Sequence, residues 1–444
     1  MLISGMSRSD AIQIFLAGVE AVKPAHFIPK NLQFNENIIK INDQTFRLTN
    51  IENLCIVAVG KAAAAMALET EKILGSSITQ GLVVTKYGHS LPLSHCSTIE
   101  AGHPIPDENS LLGGKTVLKL FKEATPKDLI ILLISGGASA LVSDVPSGCN
   151  LRDVQVTIQL LLDCGAAIDE INTVRKHLSN IKGGQLMQAT QATVAALILS
   201  DVPDNNLSVI ASGLTVPDNS TFYDAWRVIE RYELVKKLPK STRDYLVNGV
   251  KKIMPVIPKP GTLVFDKVYN HLVATNKVAI EAAAAKAQLL GYTTKIISPS
   301  LSGEADKQAE NFINYLKNEM SKQRMCMLWG GETTVTIKGN GKGGRNQQFV
   351  LAALCALKDQ EWQAQNNVTI LSGGTDGTDG PTTATGAVID PGIVLKMKEI
   401  AIDPAQFLQR NDAFHFFEKV DGLVITGPTQ TNVMDIVIGL VNKK

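Results

Sequence analysis

The chain lacks most of the features that mark a specialised protein. Its 43 Lys and Arg nearly balance 42 Asp and Glu. No surplus charge draws it to nucleic acid or to an anionic membrane, so any basic site has to be local. Six cysteines (Cys55, Cys96, Cys149, Cys164, Cys326 and Cys355) include no C-x-x-C pair, which argues against zinc and dithiol motifs. Several lie in apolar runs and read as free buried thiols in a reducing cytosol. His89, His103 and His177 have no ligand-like spacing and read as structural hydrogen-bonding groups. No apolar run approaches the ~20 residues that span a bilayer. Residues 1–10 lack the basic-then-apolar pattern of a signal peptide, so a cytoplasmic protein with no membrane partner is expected. No long-period repeat is evident. Two or three globular domains are expected from 444 residues.

What is present is a repeated strand–turn–helix pattern. Residues 54–59 form a continuous apolar run, the mark of a strand buried on both faces. The run ends in Gly60-Lys61 and passes into an alanine-rich helix. Further strands are expected at 81–85, 128–134 and 194–199, with helices at 107–124, 151–168 and around 172–178. An opening helix at 10–22, capped by Ser9, and two short edge strands within 29–53 precede them. This alternation predicts an α/β fold with an N-terminal Rossmann-like, mostly parallel sheet. In such sheets ligands bind beyond the carboxyl ends of the strands. Those ends carry Gly60-Lys61, Ser135-Gly136-Gly137 and Ser200-Asp201.

The Pro- and Lys-rich segment 236–260 is the expected boundary, giving an N-terminal domain at 1–250 and a C-terminal α/β domain at 261–444. In the second domain, strands are expected at 293–297, 325–329, 333–337 and 368–371. Helices are expected at 277–290, 303–322, 346–357, 392–402 and 412–420, with a last strand pair around Leu423 and Val437. An apolar strand followed by Gly-Gly recurs at Ser135, Trp329 and Ser372. It falls in both halves, which is consistent with a cleft between two domains.

One stretch stands out. Lys338 to Arg345 holds four glycines, two lysines and an arginine just before a predicted helix. Bare amides and a helix N-terminus suit an anion, and Arg345 could clamp a carboxylate or phosphate bidentately. The run contains Gly339-x-Gly341-x-x-Gly344, a formal dinucleotide fingerprint, but its two lysines and arginine fit phosphoryl or carboxylate handling better. Lys61, at the mouth of a buried strand, is a second cation. Ser135-Gly136-Gly137-Ala-Ser139 offers amides and hydroxyls suited to phosphate. Asp201, Glu332, Asp376 and Asp379 sit at strand ends or glycine turns, where one or two carboxylates could hold Mg2+ beside phosphates. Gly113-Gly-Lys-Thr116 is not a P-loop, because position 109 is Asn and a helix precedes it.

At these residues the chain resembles the class II glycerate kinases, or glycerate 2-kinases, which carry a C-terminal MOFRL domain (here about 325–440). The matching segments include Ala58-Val-Gly-Lys-Ala62, Ala101-Gly-His-Pro-Ile-Pro-Asp107, Ser135-Gly-Gly-Ala-Ser-Ala-Leu141 and Asn172-Thr-Val-Arg-Lys-His-Leu-Ser179. They continue with Ile181-Lys-Gly-Gly184, Ser200-Asp-Val202, Leu207-Ser-Val-Ile-Ala-Ser-Gly213, Gly343-Gly-Arg-Asn-Gln347, Gly374-Thr-Asp-Gly-Thr-Asp-Gly-Pro381 and Thr426-Gly-Pro-Thr-Gln-Thr-Asn-Val433. Three departures are visible: Asp204-Asn-Asn206, Gly213-Leu-Thr215 and Gln348. The resemblance implies ATP-dependent phosphorylation of D-glycerate at its 2-hydroxyl, with ATP and Mg2+, in a cleft between the domains. It implies Lys61 and Arg345 as the catalytic pair, with Lys61, Arg345 and Asn346 binding glycerate. Gly60, Ser135, Gly136, Gly137, Ser139 and Asp201 would hold nucleotide phosphates, and Asp201, Asp376 or Asp379 the metal. A homodimer is compatible with this reading. The competing reading is an NAD(P)H-dependent hydroxypyruvate reductase, and a non-catalytic nucleotide sensor is a third.

Overall fold

A computed structural model of the protein describes residues 2–254, 256–318, 324–357 and 366–443. The chain divides into two compact units, Phe27–Val273 and a second made of Met1–His26 with Ala274–Lys444.

The Phe27–Val273 unit opens on a small antiparallel sheet of β1 (Leu32–Asn35), β2 (Ile38–Ile41) and β3 (Gln44–Arg47), one strand more than expected. Its main sheet contains β4 (Leu54–Val59), β5 (Gln80–Lys86), β6 (Cys96–Ala101), β7 (Leu129–Ile134), β8 (Thr193–Leu199) and β9 (Val268–Ala274), in the order β6-β5-β4-β7-β8-β9. The first five run parallel. Chain order reverses between β4 and β7, the two strands buried at every position. That reversal is the topological switch point, where open α/β sheets bind ligands. Helix Glu108–Glu123, begun by a reciprocal Asp107–Ser110 capping box, packs Val117, Leu120 and Phe121 into the sheet core.

The other unit is built on β10 (Thr293–Glu304), β11 (Arg324–Thr334), β12 (Asn366–Gly374), β13 (Gly386–Ile389), β14 (Leu423–Val424) and β15 (Asp435–Lys443), in the order β10-β11-β15-β12-β13-β14. β10 and β11 are parallel and the other pairs are antiparallel. The last strand is therefore central, between β11 and β12, and β14 pairs with β13 instead of with it. Helix Leu2–Ala21 belongs to this unit. It buries Ala11, Ile14, Phe15 and Val19, and Tyr292 donates to Asp10 at 2.8 Å.

Three features differ from the sequence reading. The observed division falls at 26/27 and 273/274, where a single boundary near 250–261 was expected. Ser9 lies inside a helix that starts earlier than expected, so it caps nothing. Of the three strand–Gly-Gly repeats, only Ser135-Gly136-Gly137 is a turn. Gly330-Gly331 and Gly373-Gly374 lie within β11 and β12. There the missing side chain makes room: a Cβ on Gly330 would sit 1.8 Å from Asn276 Oδ1. Among the described residues no single helix is long and apolar enough to cross a membrane.

Candidate active site

The switch point in the Phe27–Val273 unit is a double turn. After β4, Gly60 adopts φ 125°, a conformation open to glycine and costly for other residues. A Cβ there would lie 2.2 Å from Ser135 Oγ. After β7, Ser135 ties the two turns together. Its N–H donates to Val59 O at 2.9 Å, and its Oγ accepts from Ala62 N at 3.1 Å. Lys61 N donates to Gly136 O at 2.9 Å. Gly60, Lys61, Ser135, Gly136 and Gly137 thus form one hydrogen-bonded constellation. Asp201, just past β8, reaches it: a Cβ on Gly136 would lie 1.9 Å from Asp201 Oδ2. Ser139 is one residue pair further out, sharing a 2.8 Å hydrogen bond with Ser212.

His103 joins this group, beyond its reading as a structural group. A Cβ on Gly137 would meet His103 Cδ2 at 2.8 Å and Lys61 Cε at 3.3 Å. The ring and the lysine stem both lie over the glycine. Burial, reinforced by the charge of Lys61, lowers the His103 pKa to about 4, so the imidazole is neutral at physiological pH. Its only sequence signal is its place in Gly102-His103-Pro104, just past the end of β6. The other two histidines are structural, as expected. His89 Nδ1 donates to Lys61 O at 3.2 Å, and His177 Nδ1 donates to Thr173 O at 2.9 Å.

In the other unit, the Lys338–Arg345 loop is not a bare amide cradle. Lys338 N and Gly339 N donate to Asn411 Oδ1 at 2.7 and 3.2 Å, Gly341 N to Arg410 O at 2.9 Å, and Lys342 N to Asp412 Oδ1 at 3.0 Å. The loop is laced to residues 410–412. The glycines permit that approach, since a Cβ on Gly341 would sit 2.5 Å from Asp412 Cβ. No strand forms at 335–337.

The helix it opens onto, Arg345–Ala356, already has its anion. Asp379 Oδ1 accepts from Asn346 N at 3.0 Å and Asn346 Nδ2 at 3.2 Å. Asp379 Oδ2 accepts from Gln347 N and Gln347 Nε2, both at 2.9 Å. This carboxylate caps the helix and neutralises its dipole. Asn346, expected to bind substrate, also accepts from Ser372 Oγ at 2.6 Å and is 1% exposed. Its side chain is spent inside the protein.

Arg345 is held as well. Asp435 grips it with two prongs, Nε to Oδ2 at 2.6 Å and Nη2 to Oδ1 at 2.9 Å, and Glu332 takes Nη1 at 2.7 Å. Burial alone would lower the Arg345 pKa, but Asp435 and then Glu332 outweigh it and raise it. Asp435 carries no sequence signal of its own. It follows the Thr426–Val433 motif at the head of β15, 90 residues from its partner.

The carboxylates expected to hold a metal divide by fit. Asp379 does not fit, because four N–H donors saturate it. Burial, with help from Asp435, also pushes its carboxyl up to about 6 against those donors. Asp376 Oδ1 is turned back onto Thr378 N and Oγ1 at 2.9 and 3.0 Å. Among the described residues no group of three His, Cys, Asp or Glu side chains is arranged to hold a metal. Asp201, beside a phosphate-suited turn, matches the single carboxylate that Mg2+ takes when phosphates supply its other ligands.

Comparison with known proteins covers both units. Residues 10–247 match the family described as a domain of unknown function, DUF4147, and residues 325–435 match the MOFRL family. The chain is 39% identical to the glycerate 2-kinase of Pyrococcus horikoshii over 98% of each chain. It is 38% identical, over 86% of its own length and 97% of the relative's, to a putative hydroxypyruvate reductase of Agrobacterium vitis. A crystal structure of glycerate kinase from Thermotoga maritima superposes with a TM-score of 0.84 at 38% identity, covering 98% of this chain and 100% of that one.

Proposed function

The chain belongs to the glycerate 2-kinase family, and from that premise we propose that it transfers the γ-phosphoryl group of ATP to the 2-hydroxyl of D-glycerate. The observation that carries this reading is Lys61, laid over the Gly137 turn at the switch point of a chain similar to a glycerate 2-kinase along its length. Phosphoryl transfer asks a protein for positioning and charge neutralisation more than for covalent chemistry.

Lys61 supplies the positive charge for the transferring phosphoryl group, and the Ser135–Gly137 turn seats the neighbouring phosphates. His103, with a pKa near 4, is a weak base. In the other unit, Asp435 fixes the plane of Arg345 and leaves the Nη1 edge to the half-exposed Glu332. A glycerate carboxylate or a phosphate takes that edge by displacing Glu332. Asp201 is the side chain suited to hold a Mg2+ brought by the nucleotide, which would neutralise phosphate charge there. Lys61 and Arg345 belong to different units, and each supplies a cation suited to a substrate anion.

The reductase reading is less well supported. A dinucleotide pyrophosphate would need the first amides of helix Arg345–Ala356, and Asp379 holds those of Asn346 and Gln347. The deciding experiment measures D-glycerate-dependent ADP release against NAD(P)H oxidation with hydroxypyruvate, with the product identified by 31P NMR. Release of ADP with 2-phosphoglycerate is expected. NAD(P)H oxidation without ADP release would overturn the proposal, and 3-phosphoglycerate would overturn its regiochemistry.

A further inference from the structure

Beside the Gly137–Ser139 turn lies a pocket of about 570 Å3 that shares His103 and Gly137 with the site above and whose other lining residues have no role in it. It lies wholly within the Phe27–Val273 unit. One wall is apolar, formed by Leu151, Val154, Ile158 and Leu178, with Ile105 and Leu162 at the rim. Those two rim side chains are 66% and 51% exposed, which is unusual for large aliphatic groups grouped at one opening. The other end carries Arg175 and Lys182, next to Ser139 and Ser143.

The two cations set the chemistry. Lys182 is only 3% exposed, and its Nζ donates to Val142 O at 3.3 Å. That bond uses one of three ammonium donors. Arg175 Nη1 donates to Asn172 Oδ1 at 2.9 Å, a neutral partner. The carboxylate in the lining is Asp144, and it already accepts from Ser179 Oγ and from Asn180 N and Nδ2. Two cations thus face one committed acid. Burial lowers the Lys182 pKa to about 8, the mark of a charge short of compensation. A cation held this way gains most from an anion brought in by a ligand.

A three-carbon acid would leave most of this volume empty and touch little of the apolar wall. A nucleotide matches both ends: a flat base for the aliphatic wall, and phosphates for the cations and the adjacent turn. We propose that this pocket is the nucleotide seat, with the base against Val154, Ile158 and Leu162 and the phosphates directed by Arg175 and Lys182 toward Gly137. The proposal rests on the kinase reading for its choice of nucleotide. It goes beyond that reading in assigning Arg175 and Lys182 a binding role and the apolar wall a base-recognition role.

The test is calorimetric titration of the full chain with MgADP, beside steady-state kinetics, for wild type, Arg175→Gln and Ile158→Trp. Arg175→Gln removes the charge, and Ile158→Trp fills the pocket. Each should weaken MgADP binding at least tenfold and raise KM for ATP, with KM for D-glycerate unchanged within twofold. Arg175→Lys should recover part of the affinity. Circular dichroism and thermal melts check the fold. If Ile158→Trp is misfolded, the Arg175 pair decides alone. MgADP affinity within twofold of wild type in folded Arg175→Gln would overturn the proposal. So would a rise confined to KM for D-glycerate, or no measurable MgADP binding to wild type. If wild type binds MgADP, the variants lose it and no glycerate-dependent turnover is found, the pocket stands and the kinase reading fails. Turnover with unaltered MgADP affinity in the variants has the opposite meaning.

Discussion

Two glycine-rich turns precede helices in this protein, and they do opposite things. At Gly60-Lys61, glycine lets two strand ends come together, and the turn is stitched by backbone bonds and one serine hydroxyl. Lys61, His103 and Asp201 gather around it. At Lys338–Arg345, glycine lets the loop lie against residues 410–412, and the helix beyond it is capped by the protein's own Asp379. The second sequence advertises an anion site more loudly, with more glycine and more positive charge. The first is the one proposed above as the phosphate site. Composition marks where backbone can approach something, and it does not say whether that something is a ligand or another part of the chain.

The largest effect that would sharpen this contrast is at Lys61. Lys61→Ala should lower turnover by roughly 10²- to 10³-fold, the usual cost of deleting a charge-stabilising group, with an unchanged circular dichroism spectrum. Turnover near wild type would remove the basis for ranking the first turn above the second. Next is Asp435→Ala, which takes the two-pronged partner from Arg345. Breaking a buried pair costs about 3–5 kcal/mol. With Arg345 32% exposed and Glu332 still present, about 3 kcal/mol is expected, read from a urea midpoint.

A subtler test uses pH. Asp379 is held at about 6 in the folded protein, above its unfolded value near 4. For an acid raised in this way, folding favours the protonated form. Its contribution is largest below the unfolded value and declines as pH rises through about 6. The stability gap between wild type and Asp379→Asn should therefore narrow between pH 4 and 6, measured by denaturant unfolding at each pH. A gap that widens would mean the four N–H donors outweigh burial. Smallest is Lys342→Ala. Lys342 Nζ lies 4.4 Å from the centre of the Phe414 ring, worth about 0.5–1 kcal/mol. Thermal melting should fall slightly and turnover should stay within twofold. A tenfold rise in either KM would restore the anion-cradle reading of that loop.

The legible parts of the fold were those where burial is continuous. β4, β7 and β8 are apolar at almost every position, and such runs announce themselves. β6 does not. Cys96–Ala101 is an edge strand with a largely open middle, so its residues look like loop. In β11, Gly330-Gly331 resembles a turn in sequence, yet both residues pair with neighbouring strands, Gly331 at a φ of 134° that suits glycine. At the site, Lys61 and Ser135–Gly137 were readable because topology alone places both at the switch point. Asp435, Arg175 and Lys182 were not singled out as site residues, since nothing local distinguishes a buried partner from a solvated charge. In sequence Asp379 reads as a metal ligand, and only its four donors reveal a helix cap.

The placement of helix Leu2–Ala21 bears on how the protein is made. Its partners include Ala279, Tyr292 and Ile436, and the last of these lies in the central strand of its sheet, close to the end of the chain. At about 5–20 residues per second, a ribosome needs between about 20 and 90 s to supply that strand. For that interval this helix has an apolar face and no completed sheet to cover it, while residues 27–273 emerge with a whole core of their own. The gene thus delivers an independent folding unit inside the sequence of another. The earliest segment of the outer unit is the one that waits longest, and it is the stretch where a nascent chain most needs shielding from aggregation.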